Sequence, residues 1–189
     1  MSVFKKIKIL IGNIYIKLEL KDNPKERIPK LFNFNTIKTV GILCDATNPE
    51  DFELLKRYVT YLREHRKRVK VIGFFSAKRI PELTYSKLEY DFFSKKELNW
   101  FGKPSSVIIE NFINEEWDLL IDLNIKDHFP LKYISALSKA NFKVGKFNEK
   151  EMEIYDMMID SDNTKTLKYF LRQVDLYITM LNKVEPSLN

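Results

Sequence analysis

Short apolar runs alternate with amphipathic segments along most of the chain. Six strands are predicted, near residues 39–45, 69–75, 88–93, 118–123, 142–147 and 152–160. The first run is almost wholly apolar, which is typical of a central strand buried on both faces of a parallel sheet. Helical segments separate most of the runs, so we expect parallel pairing through right-handed crossovers. The pattern predicts a single three-layer, Rossmann-like α/β domain at residues 37–189, with a mostly parallel sheet of five to six strands.

Four segments of the body have the three- and four-residue apolar spacing of an amphipathic helix. They lie near residues 47–68, 103–116, 130–140 and 163–184. The first of them opens with a cap candidate, Thr47 or Asn48, followed by Pro49 and two acidic residues. That order is typical of a helix N-terminus, because a short polar side chain can accept from the free amides and proline fits the first turn.

The N-terminal stretch "FKKIKILIGNIYIKLEL" has an apolar stripe at helical spacing: Phe4, Ile7, Ile11, Ile14 and Leu18. Alternate apolar positions also occur, but only at its end, so we predict an amphipathic helix rather than a strand. Pro24 and Pro29 then mark a connector, which makes residues 1–36 an arm outside the α/β domain. The stripe either packs on the protein's own sheet or a second subunit, or docks the arm elsewhere.

The net charge of +6 is unevenly placed, because residues 1–38 hold nine Lys or Arg against three Asp or Glu. A second basic segment, residues 56–70, holds seven basic residues and one Glu. Clustered cations attract phosphate, so both segments are candidates for RNA binding. The candidate binding residues are Lys5, Lys6, Lys8, Arg63, Arg66, Lys67 and Arg68. The second segment is also consistent with a solvated helix end, where basic residues complement the helix dipole.

The sequence argues against several kinds of site. One cysteine and two histidines leave no internal disulfide, no cysteine-based zinc site and no histidine-rich metal site. The first strand–helix turn, "DATNPED", has no glycine and three carboxylates, so we expect no nucleotide there, and we predict neither a metal nor a cofactor. No apolar run reaches the roughly 20 residues needed to span a bilayer. The N-terminus does not resemble a secretory signal, so we expect a cytoplasmic protein.

Polar residues follow the first and fourth predicted strands. With the common strand order 3-2-1-4-5, Asp45 and Asp122 end neighbouring strands, and Asn124, Asp127 and His128 lie on the same rim. Paired carboxylates beside a histidine can hold a hard cation or perform acid–base chemistry. The candidate catalytic group is Asp45, Asp122, Asp127 and His128. The alternative is that they end strands and cap the next helix.

Four motifs resemble a family of uncharacterised Bacteroidota proteins, a domain of unknown function. They are "GILCDATNPEDFELLKRYVTYLRE", "IPELTYSKLEYDFFSKKELNWFGKP", "WDLLIDL" and "KTLKYFLRQVDLYI". This resemblance extends over nearly the whole chain and implies a small cytoplasmic α/β protein without an assigned activity. Residues 117–147 also resemble the N-terminal domain of heptosyltransferase-type glycosyltransferases, through the strand Asp118–Leu123, the helix Ile134–Ala140 and the strand Val144–Phe147.

The sequence favours a non-enzymatic binding or interaction protein whose basic arm docks on RNA or on a protein partner. An anionic membrane surface is a less favoured partner. The alternative is a small enzyme, or a degenerate glycosyltransferase-like domain, with a polar site at the carboxyl ends of the first and fourth strands.

Overall fold

The structure, a computed structural model, describes residues 3–22, 34–81, 88–160 and 166–180. Its helices are α1 (Val3–Asp22), α2 (Pro49–Glu64), α3 (Val107–Asn114), α4 (Phe129–Leu137) and α5 (Leu167–Met180). Its strands are β1 (Thr39–Asp45), β2 (Arg68–Phe75), β3 (Tyr90–Ser94), β4 (Leu119–Asp122), β5 (Phe142–Lys146) and β6 (Met157–Ile159). The predicted connector at residues 23–33 lies outside the described residues.

All six strands pair in parallel, in the order β3-β2-β1-β4-β5-β6. This confirms the predicted Rossmann-like α/β fold, including the parallel pairing of the three central strands. The chain runs outward from β1 to β3 and then returns to β4 on the other side of β1. The point where strand order reverses therefore lies between β1 and β4, where ligands of such sheets usually bind.

The sheet is buried on both faces. One face, with Ile42 and Ile121, packs against α2 and α5 through residues such as Phe170. The other face, with Leu43 and Leu120, packs against α3 and α4 through residues such as Ile134. Because apolar layers cover both faces of the sheet, its central strands are rich in hydrophobic residues along their whole length.

Local polar contacts decide where several elements begin. Asn48 caps α2, since its Oδ1 accepts from Glu50 N at 2.9 Å, while Thr47 instead bonds Ser76. Ser106 caps α3, so this helix begins at Val107.

The last strand is much shorter than the predicted segment 152–160. Residues Glu149–Glu151 form a 3₁₀ turn, capped by Asn148, whose Oδ1 accepts from Lys150 N at 3.1 Å. Asp156 then accepts from Lys143 N at 2.7 Å, which fixes the approach to β6. Side-chain bonds of this kind compete with strand pairing.

Helix α1 is present, as predicted, but it is not separate from the body. It packs on α4: Ile16 is buried, and Tyr15 stacks with Tyr133 at 6.4 Å between ring centres. Lys103 donates to the Tyr15 hydroxyl at 2.8 Å and so ties α1 to the segment before α3. The buried face of α1 is therefore the one that carries Tyr15 and Ile16.

Candidate functional site

Asp45, the last residue of β1, gathers the polar groups at the carboxyl edge of the sheet. Its Oδ2 lies 3.2 Å from His128 Nε2 and 2.9 Å from Lys126 Nζ, and its Oδ1 accepts from Thr47 N at 2.9 Å. The structure thus brings two of the four candidate catalytic residues, Asp45 and His128, into contact. We call Asp45, Lys126 and His128 the rim triad.

The loop after β4 holds His128 against Asp45. Asn124 Oδ1 accepts from His128 N at 2.7 Å, and Asn124 Nδ2 donates to His128 O at 2.9 Å. The imidazole also packs edge-on against the Phe74 ring, at 5.3 Å between ring centres. Backbone bonds and an aromatic contact therefore fix the position of the side chain.

The hydrogen bonds at Asp45 keep it ionised. Burial opposes its charge, but the contacts with His128, Thr47 and Lys126 outweigh that and hold the pKa of the carboxyl well below its usual range. An ionised carboxylate only accepts, so His128 donates through Nε2. Nδ1 of His128 has no hydrogen-bond partner among the described residues, and on a neutral ring it is available to accept a proton.

Asp122 does not join the rim triad. In the β1–β4 register it pairs with Leu43, so Asp45 lies two residues further along the sheet. Asp122 is 1% exposed and accepts from Tyr155 OH at 2.6 Å and from Asn124 N at 3.0 Å. Burial raises its pKa to about 6, despite these two bonds. The carboxyl is a buried structural group that braces the loop after β4.

Asp127 is also apart from the rim contacts. It is exposed, and its backbone is in the left-handed region, with φ of 53°. Its amide donates to Asn124 O at 3.3 Å, which closes the turn before His128. This placement is that of a turn residue, since Asp tolerates the left-handed conformation better than most side chains.

A cavity of about 570 Å³ lies beside the rim, between α1 and the loops that follow β4 and β5. Its lining includes Asn13 and Ile16 of α1, Phe129 and Lys132 of α4, and Glu151. Lys132 and Glu151 form an ion pair across it at 2.9 Å. Asn13 Oδ1 is buried and has no hydrogen-bond partner among the described residues. The packing of α1 against the domain therefore creates one wall of this cavity.

The outward face of α1 is apolar. We call Phe4, Ile7, Ile11, Ile14 and Leu18 the outer stripe. Four of its members are strongly exposed: Phe4 by 64%, Ile7 by 46%, Ile14 by 50% and Leu18 by 51%. Leu10, beside the stripe, is 60% exposed. The residues with the strongest helical periodicity therefore face solvent, while Gly12 and Ile16 on the other side of the helix face the body.

A comparison with protein families matched residues 8–181 to a family of unknown function, DUF6913. The chain belongs to this family. The match extends from within α1 to the end of α5, so both the helix and the sheet are part of the DUF6913 domain. No curated protein and no solved structure matched the chain.

The candidate RNA-binding residues of this DUF6913 protein differ in their surroundings. Arg63 pairs with Glu89 at 2.7 Å, and Arg68 pairs with Glu115. Lys67 is 7% exposed, and its ammonium donates to Phe34 O at 2.6 Å and to Ile37 O at 2.7 Å. Arg66 is exposed at the turn after α2. Residues 63–68 therefore include two arginines paired with carboxylates, one buried lysine and one exposed arginine.

In α1, the Lys8 ammonium lies over the Phe4 ring, 4.8 Å from its centre. The side chains of Lys5 and Lys6 lie outside the described residues.

No helix within the described ranges is long and apolar enough to cross a membrane. Within those same ranges, no three His, Cys, Asp or Glu side chains are grouped so that they could hold a metal ion.

Sequence reasoning missed Lys126, whereas Asn124 was expected on this rim. Lys126 lies in the short polar loop between Asp122 and His128, so its proximity to the candidates was visible in the sequence. Its role was not visible, because Lys126 bonds Asp45, which is 81 residues away in the chain. Tyr155, the partner of Asp122, likewise comes from a distant segment.

Proposed function

We propose that this protein is a non-enzymatic interaction protein that docks a protein partner through the outer stripe of α1. The proposal rests on the solvent exposure of the side chains of the outer stripe. Large apolar side chains scattered singly on a surface are ordinary, but a contiguous row of them on one helix face marks an interaction surface.

Covering the outer stripe would be strongly favourable. Full burial of one side chain of the Leu, Ile or Phe class stabilises by about 1.5–3 kcal/mol. The helix is already fastened to α4 through Tyr15 and Ile16, so the stripe is held in place before a partner arrives. A preorganised surface loses little conformational entropy on docking, which leaves more of the burial energy for binding.

The surroundings of the cations favour a protein over RNA as the partner. Phosphate is bound by cations that are free to exchange their counterions. Arg63 and Arg68 have carboxylate partners, and the Lys67 ammonium is turned into the body. RNA binding through Lys8 and Arg66 is the competing outcome that the experiment must separate.

A pull-down from native lysate, with and without nuclease, tests the proposal. The tagged full-length chain should retain a protein in both conditions, and Ile7→Glu with Ile14→Glu should release it. The matched control is Val107→Glu with Ile108→Glu, which places the same two charges on exposed apolar positions of α3. If the retained protein is lost after nuclease treatment, the result would favour RNA as the partner. Retention that survives the α1 substitutions would overturn the proposed docking surface.

A second candidate function is acid–base catalysis at the rim, which the Asp45–His128 contact favours. An ionised carboxylate that orients an imidazole leaves the other ring nitrogen to take a proton from a substrate or water. Hydrolysis of p-nitrophenyl acetate is a simple probe. Turnover that is lost in Asp45→Asn and His128→Gln, but kept in His65→Gln, would support the enzyme. Equal rates in all three variants would count against it.

The sequence motifs also support proposals about the origin, the location and the ancestry of the domain. An origin in Bacteroidota and a cytoplasmic location rest on the likeness of the four quoted segments. A degenerate glycosyltransferase-like domain rests on residues 117–147, which form β4, α4 and β5 at the centre of the sheet. The hypothesis of a degenerate glycosyltransferase-like domain predicts that the chain binds no sugar nucleotide.

A further inference from the structure

We propose that the partner of the outer stripe is a second copy of this chain, and that two α1 helices pair side by side in parallel. This inference rests on the proposed function and names its partner. The stripe residues would form the seam between the helices, and the two α/β bodies would lie on opposite sides of the pair.

The spacing of the outer stripe identifies a helix as its occupant. Phe4, Ile7, Ile11, Ile14 and Leu18 follow steps of three, four, three and four. This is the first-and-fourth repeat of heptads, which forms the narrow seam of a coiled coil. A membrane-surface helix instead has a broad apolar face, and the face of α1 that lies against α4 is already occupied. The pattern therefore fits a partner helix better than a lipid surface.

The attachment of α1 leaves the seam pointing away from the body. A Cβ atom on Gly12 would meet the Phe129 ring, and Ile16 is buried, so the helix surface around these residues is in contact with its own domain. Ile14 and Leu18 lie on the opposite surface and are about half exposed. A second copy can thus reach the seam without displacing α1. The same patch on both chains would make a two-fold, self-complementary interface.

Charges beside the seam favour the parallel arrangement. In a parallel, in-register pair, a residue at the seventh heptad position of one helix lies beside the fifth position of the next heptad in the other. With Phe4 at the first position, Lys17 of one copy meets Asp22 of the second copy, and both side chains are exposed. Two such contacts of opposite charge occur in the pair by symmetry. They act mainly on orientation, since exposed ion pairs contribute little affinity.

Sedimentation of the full-length chain across the micromolar range is the first test. The proposal expects a reversible change from the 22.5 kDa chain to twice that mass. Ile7→Glu with Ile14→Glu should remain a monomer with an unchanged far-ultraviolet spectrum, because both side chains are exposed. The control, Val107→Glu with Ile108→Glu, should dimerise like the wild type. A wild-type chain that stays monomeric throughout would overturn the second copy as partner.

Disulfide trapping tests the orientation without depending on the charged variants. In a parallel pair Ile14 lies beside its own counterpart, so Ile14→Cys should oxidise to a covalent dimer many-fold faster than Val107→Cys. Native Cys44 is buried and supplies no competing surface thiol. In an antiparallel pair Ile14 lies opposite Ile11 instead. Cross-linking that requires mixing Ile11→Cys with Ile14→Cys would therefore overturn the parallel arrangement.

The two proposals fail differently. A monomeric chain that retains another protein through the outer stripe would keep the proposed function and remove the second copy. A monomer whose stripe binds phosphatidylserine vesicles would overturn both protein-partner proposals. A dimer that is lost in Ile7→Glu with Ile14→Glu, and trapped by Ile14→Cys, is the expected result.

Discussion

Gly12 of α1 lies so close to Phe129 at the start of α4 that a Cβ atom built on Gly12 would be 2.4 Å from the ring carbon Cζ. A contact this short leaves no room for a side chain, so glycine allows the helix to approach. The N-terminal helix is consequently part of the packed structure, and its outer stripe lies on the side away from α4.

A large side chain at position 12 should separate α1 from α4. Gly12→Leu is expected to lower the free energy of unfolding by about 1–3 kcal/mol through overpacking, although leucine is the better helix former. Urea unfolding measures the loss, and limited proteolysis should show faster cleavage within α1. Leu10→Val, at an exposed position of the same helix, is the control. Adding Phe129→Ala to Gly12→Leu should recover part of the loss, and strict additivity would contradict the contact.

Asp122 should make the protein less stable as the pH rises through about 6. Its pKa is about 6 in the folded state, above the usual value of 3.8, so the native protein holds a proton that the unfolded chain has released. The contribution is fully present below pH 4 and is lost as the pH rises from there through 6. The shift of about 2 pKa units corresponds to roughly 3 kcal/mol.

Asp122→Asn tests that linkage, because the amide cannot ionise. Between pH 4 and pH 7.5 the stability of the variant relative to wild type should rise by roughly 2–3 kcal/mol in urea unfolding. Asp160→Asn makes the same change of charge at an exposed position and should show no such trend. A constant difference between the Asp122 variant and wild type would contradict the buried proton.

Asp45 should have the opposite pH dependence in a lower range. Its folded pKa lies below its usual range, so its contribution is present above about pH 4 and is lost as the pH falls through the folded value. Asp45→Asn is expected to cost about 1–2 kcal/mol at pH 6, because it weakens the bonds to Lys126 and His128. The cost should be smaller at pH 3, where the unfolded chain has taken up a proton that the native carboxylate has not. Chemical unfolding at both pH values measures the difference. A cost that is equal at pH 3 and pH 6 would refute the ionised contact.

Lys67 should act as a structural residue. Lys67→Met keeps most of the apolar stem but leaves the carbonyls of Phe34 and Ile37 without the ammonium donor, at an expected cost of roughly 2–4 kcal/mol. Arg66→Met, at the exposed neighbouring position, should cost less than about 0.5 kcal/mol. Thermal unfolding checks both variants. A loss of RNA affinity in Lys67→Met without a loss of stability would show that the lysine is a binding residue instead.

The sequence by itself determined the sheet and much of the local structure. The apolar run of β1 predicted a buried strand, because a strand covered on both faces needs apolar residues at nearly every position. The helices between the strands predicted that β1, β2 and β4 pair in parallel. Asn48 and Pro49 predicted the start of α2 equally well, since a helix cap depends on residues within one turn. The position of Asp45 and His128 at one edge of the sheet followed from strand order.

Only the tertiary structure decided which groups meet and which face of α1 is buried. Asp122 follows the same kind of strand as Asp45, yet the register places it two residues lower, where Tyr155 binds it. The outer stripe is the most regular apolar row in α1, yet the opposite side packs on α4, because Gly12 admits the Phe129 ring and Tyr15 fits against Tyr133. Periodicity records where apolar residues recur along a helix. The shape of the surface that receives the helix determines which of them are buried, and that surface forms only when distant segments come together.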